Sequence, residues 1–297
     1  MSQNKTVLAL GFFDGIHIGH GALLQKTRER AVELRAEPAV LTFDNHPDTY
    51  VRGERTELIS SADDRVYIIR RYYGIEKVFF LHFDRSTMLL PWRTFLDSVV
   101  ENYGAVHFVV GHDFRFGWRG EGNAALLTEY CRENGLGCDV IPPVIFDGVL
   151  VSSTYIRRLV AEGEMERARA FLGHPYLITD SVRTGFRIGH SIEAPTINML
   201  LGEGVLVPRR GVYATKAMLP DGEHLAVTNV GTRPTFNGER VTVETNSLDY
   251  DADLYGQTVC VAFYKFLRPE RRFASPEELM EQIRRDAERS REVLGGE

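Results

Sequence analysis

Cysteine is scarce in this chain of 297 residues, which contains only three cysteines and two tryptophans. The cysteines are Cys131, Cys138 and Cys260, and the first two lack a second Cys/His pair at the spacing of a zinc site. An odd and sparse set of this kind excludes a disulfide framework and indicates reduced structural thiols. We therefore expect a cytoplasmic protein.

The chain also has fewer basic than acidic residues and lacks long apolar segments. Lys and Arg total 35 against 41 Asp and Glu, so the formal net charge is −6 and broad binding to nucleic acid is not expected. Residues 1–6 lack the apolar core of a signal peptide, and no apolar run reaches the length of a membrane span. These absences predict no nucleic-acid partner and no membrane association, and they leave the oligomeric state open.

The rhythm of apolar residues in the first half predicts alternating strands and helices. Strands are predicted at 6–12, 39–43, 77–82, 105–110 and 138–141, and helices at 20–35, 62–73, 92–103, 123–134 and 164–172. Ser61, followed three residues later by Asp64, is typical of a helix start. This order predicts a parallel α/β sheet with helices on both faces.

From about Tyr176 the strand-like segments follow one another without helices between them. They are predicted at 205–207, 212–218, 225–229, 241–248 and 259–266. Turn residues separate them, which is typical of a small antiparallel β-barrel. Ser275 and Pro276, followed by two acids, predict a C-terminal helix. We expect one domain over residues 1–174 and a second over 175–297.

The segment GFFDGIHIGH, residues 11–20, lies at a predicted strand-to-helix junction. Free backbone N–H groups and the helix dipole favour phosphate at such a junction, which is also where open parallel sheets bind ligands. His17 and His20 can add two hydrogen-bond donors. The pattern indicates nucleotide chemistry.

Two other interpretations of the histidine pair exist. A zinc site would need a third ligand, for which His46 and His112 are candidates, although no familiar metalloprotease spacing is present. The pair could also be structural. The phosphate interpretation is favoured because three glycines that permit close backbone approach surround the histidines: Gly11, Gly15 and Gly19.

Three further segments fit nucleotide chemistry less specifically. VVGHDFRFG (109–117) ends one strand, and its Asp113 could bond a ribose or flavin edge. FDNHP (43–47) ends another strand and could supply a stacking face and a polar contact. SSTYIR (152–157) offers hydroxyls that cap a helix and an arginine that can clamp phosphates. Each segment alone also fits an ordinary loop or cap.

Together, in their order and approximate spacing, the four segments resemble the FMN adenylyltransferase module of the bacterial riboflavin kinase/FAD synthetase family. The resemblance covers nearly all of residues 6–172 and extends to the HxGH nucleotidyltransferase superfamily, whose sheet is Rossmann-like. It implies transfer of AMP from ATP to FMN, giving FAD and pyrophosphate, with Mg²⁺ bridging phosphates. Because the FMN phosphate is already anionic, catalysis would depend on placement and charge neutralisation.

The resemblance also implies roles for individual residues. Catalytic roles are implied for His17, His20 and Arg157. Nucleotide binding is implied for Gly11, Phe12, Phe13, Asp14, Gly19, Asp113, Ser152, Ser153 and Thr154. Flavin contacts are implied for Phe43, His46, Pro47 and Arg115.

The second half resembles the riboflavin kinase domain of the same family. PTIN (195–198) stands where the family has PTAN, so Thr196 and Asn198 would help to hold Mg²⁺ and ATP. Glu244 would be the base for the 5′-hydroxyl of riboflavin, since a neutral alcohol gains from general-base help. A P-loop kinase is excluded because GxxxxGK[ST] is missing.

Residues 189–198, GHSIEAPTIN, depart from the usual GRx(L/I)GFPTAN of that domain. His190 replaces an arginine that could form a phosphate fork, and Glu193 replaces a glycine. A carboxylate ~4 Å from a phosphate charge costs roughly 1–4 kcal/mol. We therefore expect an FAD synthetase whose kinase-like domain is of doubtful activity. The alternatives are a fully bifunctional riboflavin kinase/FAD synthetase and a flavin-binding protein without catalysis.

Overall fold

Two units, each with its own sheet, make up the computed structural model, which describes residues 5–44, 56–182, 196–201, 204–235, 238–250 and 254–295. The first unit comprises Met1–Leu58 with Arg65–Ser152, and the second comprises Ile59–Asp64 with Ser153–Glu297. Residues 153–174 thus group with the second unit, whereas the sequence assigns them to the first domain. The division at residue 174 stays a prediction.

A five-stranded parallel sheet forms the centre of the first unit. Its strand order is β3-β2-β1-β4-β7. The strands are β1 (Thr6–Leu10), β2 (Glu37–Phe43), β3 (Lys77–Leu81), β4 (Ala105–Gly111) and β7 (Gly137–Ile141). Every residue of β1 is buried, because this strand is hydrogen-bonded to β2 on one side and to β4 on the other. The predicted parallel α/β sheet is confirmed.

The order of the strands places a topological switch at β1. The chain lays β2 and β3 on one side of β1 and then crosses over to lay β4 and β7 on the other. In open α/β sheets, ligands bind in the crevice outside the carboxyl ends of the strands at such a switch. The segments that follow β1 and β4 therefore leave the sheet at adjacent points.

The longer helices of the first half lie close to their predicted positions. They are α1 (Ile18–Leu34), α2 (Ala62–Tyr73), α4 (Trp92–Tyr103) and α5 (Ala124–Glu133). At the start of α2, the Ser61 hydroxyl accepts the N–H of Asp64 and the Asp64 carboxylate accepts the N–H of Ser61, both at 3.1 Å, which is the predicted capping arrangement. Shorter elements escaped prediction: α3 (Arg85–Met88), the pair β5 (Arg115–Phe116) and β6 (Gly122–Asn123), and the pair β8 (Ile145–Phe146) and β9 (Val149–Leu150).

The second unit contains a six-stranded antiparallel sheet in the order β10-β15-β12-β13-β14-β11. Its strands are β10 (Tyr176–Ser181), β11 (Thr196–Leu200), β12 (Gly211–Leu219), β13 (Gly222–Thr235), β14 (Gly238–Ser247) and β15 (Thr258–Arg268). The helices are α6 (Ser153–Glu162), α7 (Met165–Leu172) and α8 (Pro276–Leu294), whose first turn is capped by the Ser275 side chain. The predicted antiparallel barrel and C-terminal helix are confirmed as a half-barrel followed by α8. The strand predicted at 205–207 is wrong, and β10 and β11 were missed.

A chain of hydroxyl groups ties the middle of this sheet together. The Oγ1 atoms of Thr215 and Thr228 lie 2.8 Å apart, as do those of Thr228 and Thr245. The three side chains are completely buried on adjacent strands. Each hydroxyl can donate and accept, so a row of threonines satisfies buried polar groups without a charge.

Candidate active site

The turn that follows β1 is held in an uncommon backbone conformation. Phe13, Gly15 and Ile16 all have positive φ, at 56°, 77° and 40°. Glycine adopts this region freely, whereas a bulky or β-branched residue does so at a cost of roughly 1–3 kcal/mol. Phe13 and Ile16 are nevertheless completely buried. Strain of this kind is typical of functional turns, because packing must hold the conformation in place.

His17 ends this turn and caps helix α1. Its Nδ1 accepts the backbone N–H of His20 at 3.2 Å, and its carbonyl accepts the N–H of Gly21 at 2.8 Å. A ring nitrogen that accepts a hydrogen bond carries no proton, so neutral His17 keeps its proton on Nε2. The cap thereby turns the ring into a fixed hydrogen-bond donor at the start of a helix.

The ring of His20 lies flat against that of His17. The two centroids are 3.7 Å apart with an interplanar angle of 10°, and Phe13 meets His20 edge-on at 5.2 Å. Burial, and then the neighbouring His17, lower the pKa of His20 well below its usual value. Within the described part of the chain, the buried Nδ1 of His20 meets no hydrogen-bond partner.

Gly19 makes the stacked arrangement possible. A Cβ at this position would lie 3.1 Å from both Cε1 and Nδ1 of His17. The small residue between the histidines therefore leaves room for an imidazole of this chain, in addition to the backbone approach that the sequence analysis expected. Ile18 and Gly19 open the helix, so their N–H groups have no partner in its i→i−4 pattern.

The ends of β4 and β2 place further predicted residues at the same edge of the sheet. Asp113 follows β4, and its side chain turns back towards Gly111. A Cβ added to Gly111 would lie 3.0 Å from Oδ1 of Asp113. Arg115 is exposed on β5. Phe43 ends β2, and its ring meets that of Phe83 edge-on at 5.3 Å. His46 and Pro47 lie outside the described residues.

A carboxylate and a histidine that the sequence did not single out stand beside Phe43. Asp44 accepts the N–H of Phe83 at 3.2 Å, and its Oδ2 lies 2.7 Å from Nδ1 of His82. His82 follows β3, the neighbour of β2. The hydrogen bond and charge of Asp44 raise the pKa of His82. This pair could not be predicted, because nothing in the local pattern links residues 44 and 82.

The SSTYIR segment lies where the chain passes from the first unit to the second, and it forms the start of helix α6. The helix begins at Ser153, directly after Ser152, and Thr154 is exposed. Arg157 comes one helical turn after Ser153 and is half-buried. The predicted placement of hydroxyls at a helix start with an arginine one turn later agrees with the structure; the phosphate contacts stay predictions.

The predicted kinase residues share one region of the antiparallel sheet. Asn198 on β11 pairs directly with Glu244 on β14, and Thr196 lies two positions earlier on β11. Across the other edge of β14, Glu244 pairs with Asn229 on β13, which the sequence analysis missed. Directly paired residues in antiparallel strands have Cβ atoms about 4.5–5.5 Å apart, so the register creates a row of two amides around one carboxylate.

Two neighbours complete that row. The Thr242 hydroxyl donates to Oε1 of Glu244 at 3.5 Å. Glu270 Oε1 lies only 2.4 Å from the position that a Cβ on Gly231 would take, so this carboxylate rests against a glycine that pairs with Thr242. The first contact joins residues two apart on one strand, whereas Glu270 reaches Gly231 from beyond the end of β15, and this second contact was not visible in the sequence.

The described residues include no group of three or more His, Cys, Asp or Glu side chains placed to hold a metal ion. None of the helices in the described ranges has the length and apolar character that crossing a membrane requires.

Comparison with known proteins divides the chain into two matched regions. The family model described as FAD synthetase matches residues 1–155, and the one described as riboflavin kinase matches residues 172–294. Among curated proteins, the chain is 33% identical to the bifunctional riboflavin kinase/FMN adenylyltransferase of Bacillus subtilis (strain 168), across 96% of this chain and 91% of the relative. It is 34% identical to the protein of the same name from Escherichia coli (strain K12), across 99% and 94%.

A solved structure described as a macrolide-efflux protein from Streptococcus pneumoniae also matches over nearly the whole length. The TM-score is 0.83 at 28% identity, and the match covers 98% of this chain and 95% of that one. The similarity to it therefore extends through both units, each of which has its counterpart there.

Proposed function

The chain belongs to the family of bifunctional riboflavin kinases/FMN adenylyltransferases, and from this membership we propose that it catalyses both reactions of the family name. In the first, the γ-phosphoryl group of ATP passes to the 5′-hydroxyl of riboflavin, giving FMN and ADP. In the second, the FMN phosphate attacks the α-phosphorus of a second ATP, giving FAD and pyrophosphate.

The cap formed by His17 is the observation that carries the adenylyltransferase proposal. Because Nδ1 accepts the N–H of His20, a neutral His17 carries its proton on Nε2, and this is the donor that we assign to a phosphate oxygen. His20 supplies a second ring whose buried Nδ1 meets no partner in the described residues, and a bound nucleotide would satisfy it. Both rings stabilise the negative charge that develops on the α-phosphate and the leaving pyrophosphate.

The remaining predicted residues have supporting parts in this reaction. Gly11, Phe12, Phe13, Asp14 and Gly19 would shape the nucleotide site around the turn, with Asp113 contributing from the end of β4. Arg157, with the hydroxyls of Ser152, Ser153 and Thr154, would bind the β- and γ-phosphates. Phe43, His46, Pro47 and Arg115 would contact the flavin.

Glu244 is proposed as the base of the kinase reaction. Its carboxylate would take the proton of the riboflavin 5′-hydroxyl as the phosphoryl group transfers, and Asn198 and Asn229 are its directly paired residues on the two neighbouring strands. The relatives named for both activities support this alternative over an impaired kinase domain. His190 and Glu193, which prompted the expectation of impairment, lie outside the described residues.

The donor set around Glu244 suits Mg²⁺. A threonine hydroxyl, an asparagine amide oxygen and a carboxylate are the oxygen ligands that this ion prefers, and Thr196 and Asn198 would hold it. When bound, Mg²⁺ neutralises phosphate charge.

The substrates ATP, riboflavin and FMN are small soluble molecules, and we place the reactions in the cytoplasm. Neither reaction requires nucleic acid or a membrane as a partner, in keeping with the net charge of −6.

A single assay tests the proposal. Purified protein with ATP and Mg²⁺ receives either riboflavin or FMN, and the flavin products are resolved by chromatography. We expect FMN and FAD from riboflavin, and FAD from FMN. FAD from FMN with no product from riboflavin would restore the impaired-kinase interpretation, and bound flavin without turnover would identify a flavin-binding protein.

A further inference from the structure

A completely buried arginine joins the ends of two neighbouring strands in the first unit. Arg65, on α2, uses its Nη1 to donate to the carbonyl of Phe12 at 3.0 Å and to the carbonyl of Phe43 at 2.8 Å. The same nitrogen donates to the Thr42 hydroxyl at 2.9 Å, and that hydroxyl donates to the Phe12 carbonyl at 2.8 Å. One nitrogen thus holds the residues that follow β1 and end β2.

Fold stability alone gives a poor account of this arginine. Removing a cation from water costs several kcal/mol, and a well-packed apolar side chain often serves a buried position as well. The guanidinium recovers part of this cost by lying against the rings of Phe12 and Phe80, with its carbon 5.0 and 5.3 Å from their centroids. What an apolar side chain could not supply is a donor to the two loop carbonyls.

The Phe12 carbonyl belongs to the peptide bond that immediately precedes the strained turn. The next residue, Phe13, has a φ of 56°, and Ile16 has a φ of 40° before His17 begins helix α1. Such conformations persist only where the surroundings fix them. Arg65 fixes the peptide from which the turn departs, so the orientation of the stacked histidine rings depends on a side chain that lies some 50 residues away in sequence.

We propose that Arg65 is a positioning residue for adenylyl transfer, an assignment that rests on the proposed function. It acts through the backbone of Phe12 and Phe43. By donating to both carbonyls, Arg65 fixes the position of the turn after β1 relative to the end of β2. The turn is the proposed nucleotide site, and the end of β2 is the proposed flavin contact. Loss of these hydrogen bonds would misplace both substrates at once, and a misplacement of about 1 Å can cost on the order of a hundredfold in rate.

The test compares three variants with a matched control. Arg65→Met keeps the length and apolar stem of the side chain but donates nothing. Arg65→Lys keeps a donor, since the three hydrogen bonds described above come from one nitrogen and an ammonium has three protons, although its reach is shorter. Thr42→Val removes only the bridging hydroxyl. Arg70→Met is the control, because Arg70 is exposed on the same helix.

We expect Arg65→Met to lower kcat/KM for FMN adenylylation at least about tenfold, with KM raised for both ATP and FMN. Riboflavin phosphorylation by the same preparation should stay within about twofold, since its residues lie in the other unit. Arg65→Lys and Thr42→Val should show smaller losses in the same direction. The NMR signals of the His17 and His20 ring protons should move in Arg65→Met and stay in place in Arg70→Met.

Unchanged kcat/KM and unchanged histidine signals in Arg65→Met, with only a lower melting temperature, would overturn the assignment. Should Arg65→Met fail to fold, Arg65→Lys and Thr42→Val decide, and full adenylylation in both would be equally contradictory. If the unmodified protein made no FAD from FMN, the proposed function would fail. The histidine signals would then still report whether Arg65 positions the turn.

Discussion

His17 and His20 are joined twice, by a 3.2 Å hydrogen bond from the backbone N–H of His20 to Nδ1 of His17 and by stacking of their rings at 3.7 Å. The same imidazole therefore caps a helix and, in the proposed reaction, would donate to substrate. A hydrogen bond at Nδ1 and stacking on one face together fix the orientation of the His17 ring, and such preorganisation is what the proposed catalytic role requires.

Replacing His17 by asparagine should separate these two roles. Asparagine is among the best N-cap residues, so the helix start should keep most of its stability, whereas His17→Ala should cost about 1 kcal/mol. Both variants lose the Nε2–H donor, and FAD formation from FMN should fall about 100-fold or more. Paired urea unfolding and FMN adenylylation assays measure the two effects. Full activity in His17→Asn would remove His17 from the chemistry.

His20→Gln should make the fold less sensitive to acid. The pKa of His20 is lowered in the native state, so the unfolded chain binds a proton more readily and native stability falls as the pH drops below about 6.5. Glutamine cannot titrate. Urea midpoints at about pH 7.5 and about pH 5.5 should therefore differ less in His20→Gln than in the unmodified protein.

The His82→Gln variant should show the opposite pH dependence of stability. Asp44 raises the pKa of His82, so any stabilisation by this pair is present at low pH and fades as the pH rises through the raised pKa. Removing the pair should lower the free energy of unfolding more at about pH 5.5 than at about pH 7.5. Equal pH responses in all three proteins would contradict the proton affinities inferred for both histidines.

Gly19→Ala should raise helix stability and lower activity at once. Alanine exceeds glycine in helix propensity by about 1 kcal/mol. Its Cβ, however, would press on the His17 ring from 3.1 Å and displace it from His20. We expect FMN adenylylation to fall about tenfold with an unchanged or higher melting temperature. Retention of activity would show that the ring tolerates the shift.

Glu244→Gln should abolish riboflavin phosphorylation and spare FMN adenylylation. The amide has nearly the same shape as the carboxylate but cannot accept the proton of the 5′-hydroxyl, and we expect a loss of about 100-fold or more. Chromatography of products from riboflavin and from FMN gives both rates on one preparation. Normal phosphorylation by Glu244→Gln would exclude this residue as the base.

Thr228→Val should destabilise the second unit without touching either reaction directly. Valine has a similar shape, but it breaks the hydroxyl chain and leaves Thr215 and Thr245 without their central partner. Burying unmatched hydroxyls costs about 1–3 kcal/mol. Urea unfolding followed by fluorescence should show a lower midpoint, and an unchanged midpoint would mean that the hydroxyls find other partners.

Local pattern was enough to predict the parallel sheet, its longer helices and the capping of α2 and α8, because each depends on residues close in sequence. The junction motif also led to His17 and His20. Arg65, Asn229 and the Asp44–His82 pair stayed hidden, since each acquires its meaning from a partner more than 10 residues away. Strand β11 was missed as well: Ile197 and Met199 are buried and alternate with polar residues, but the strand is only five residues long and its first residues were interpreted as the binding motif PTIN.

The central place of β1 also governs when the protein becomes competent during its own synthesis. This strand leaves the ribosome before both of its neighbours, and one of them, β4, begins only at Ala105. Parallel pairings between distant segments form slowly. The nascent chain must therefore carry the histidine turn without its full support until β4 has emerged.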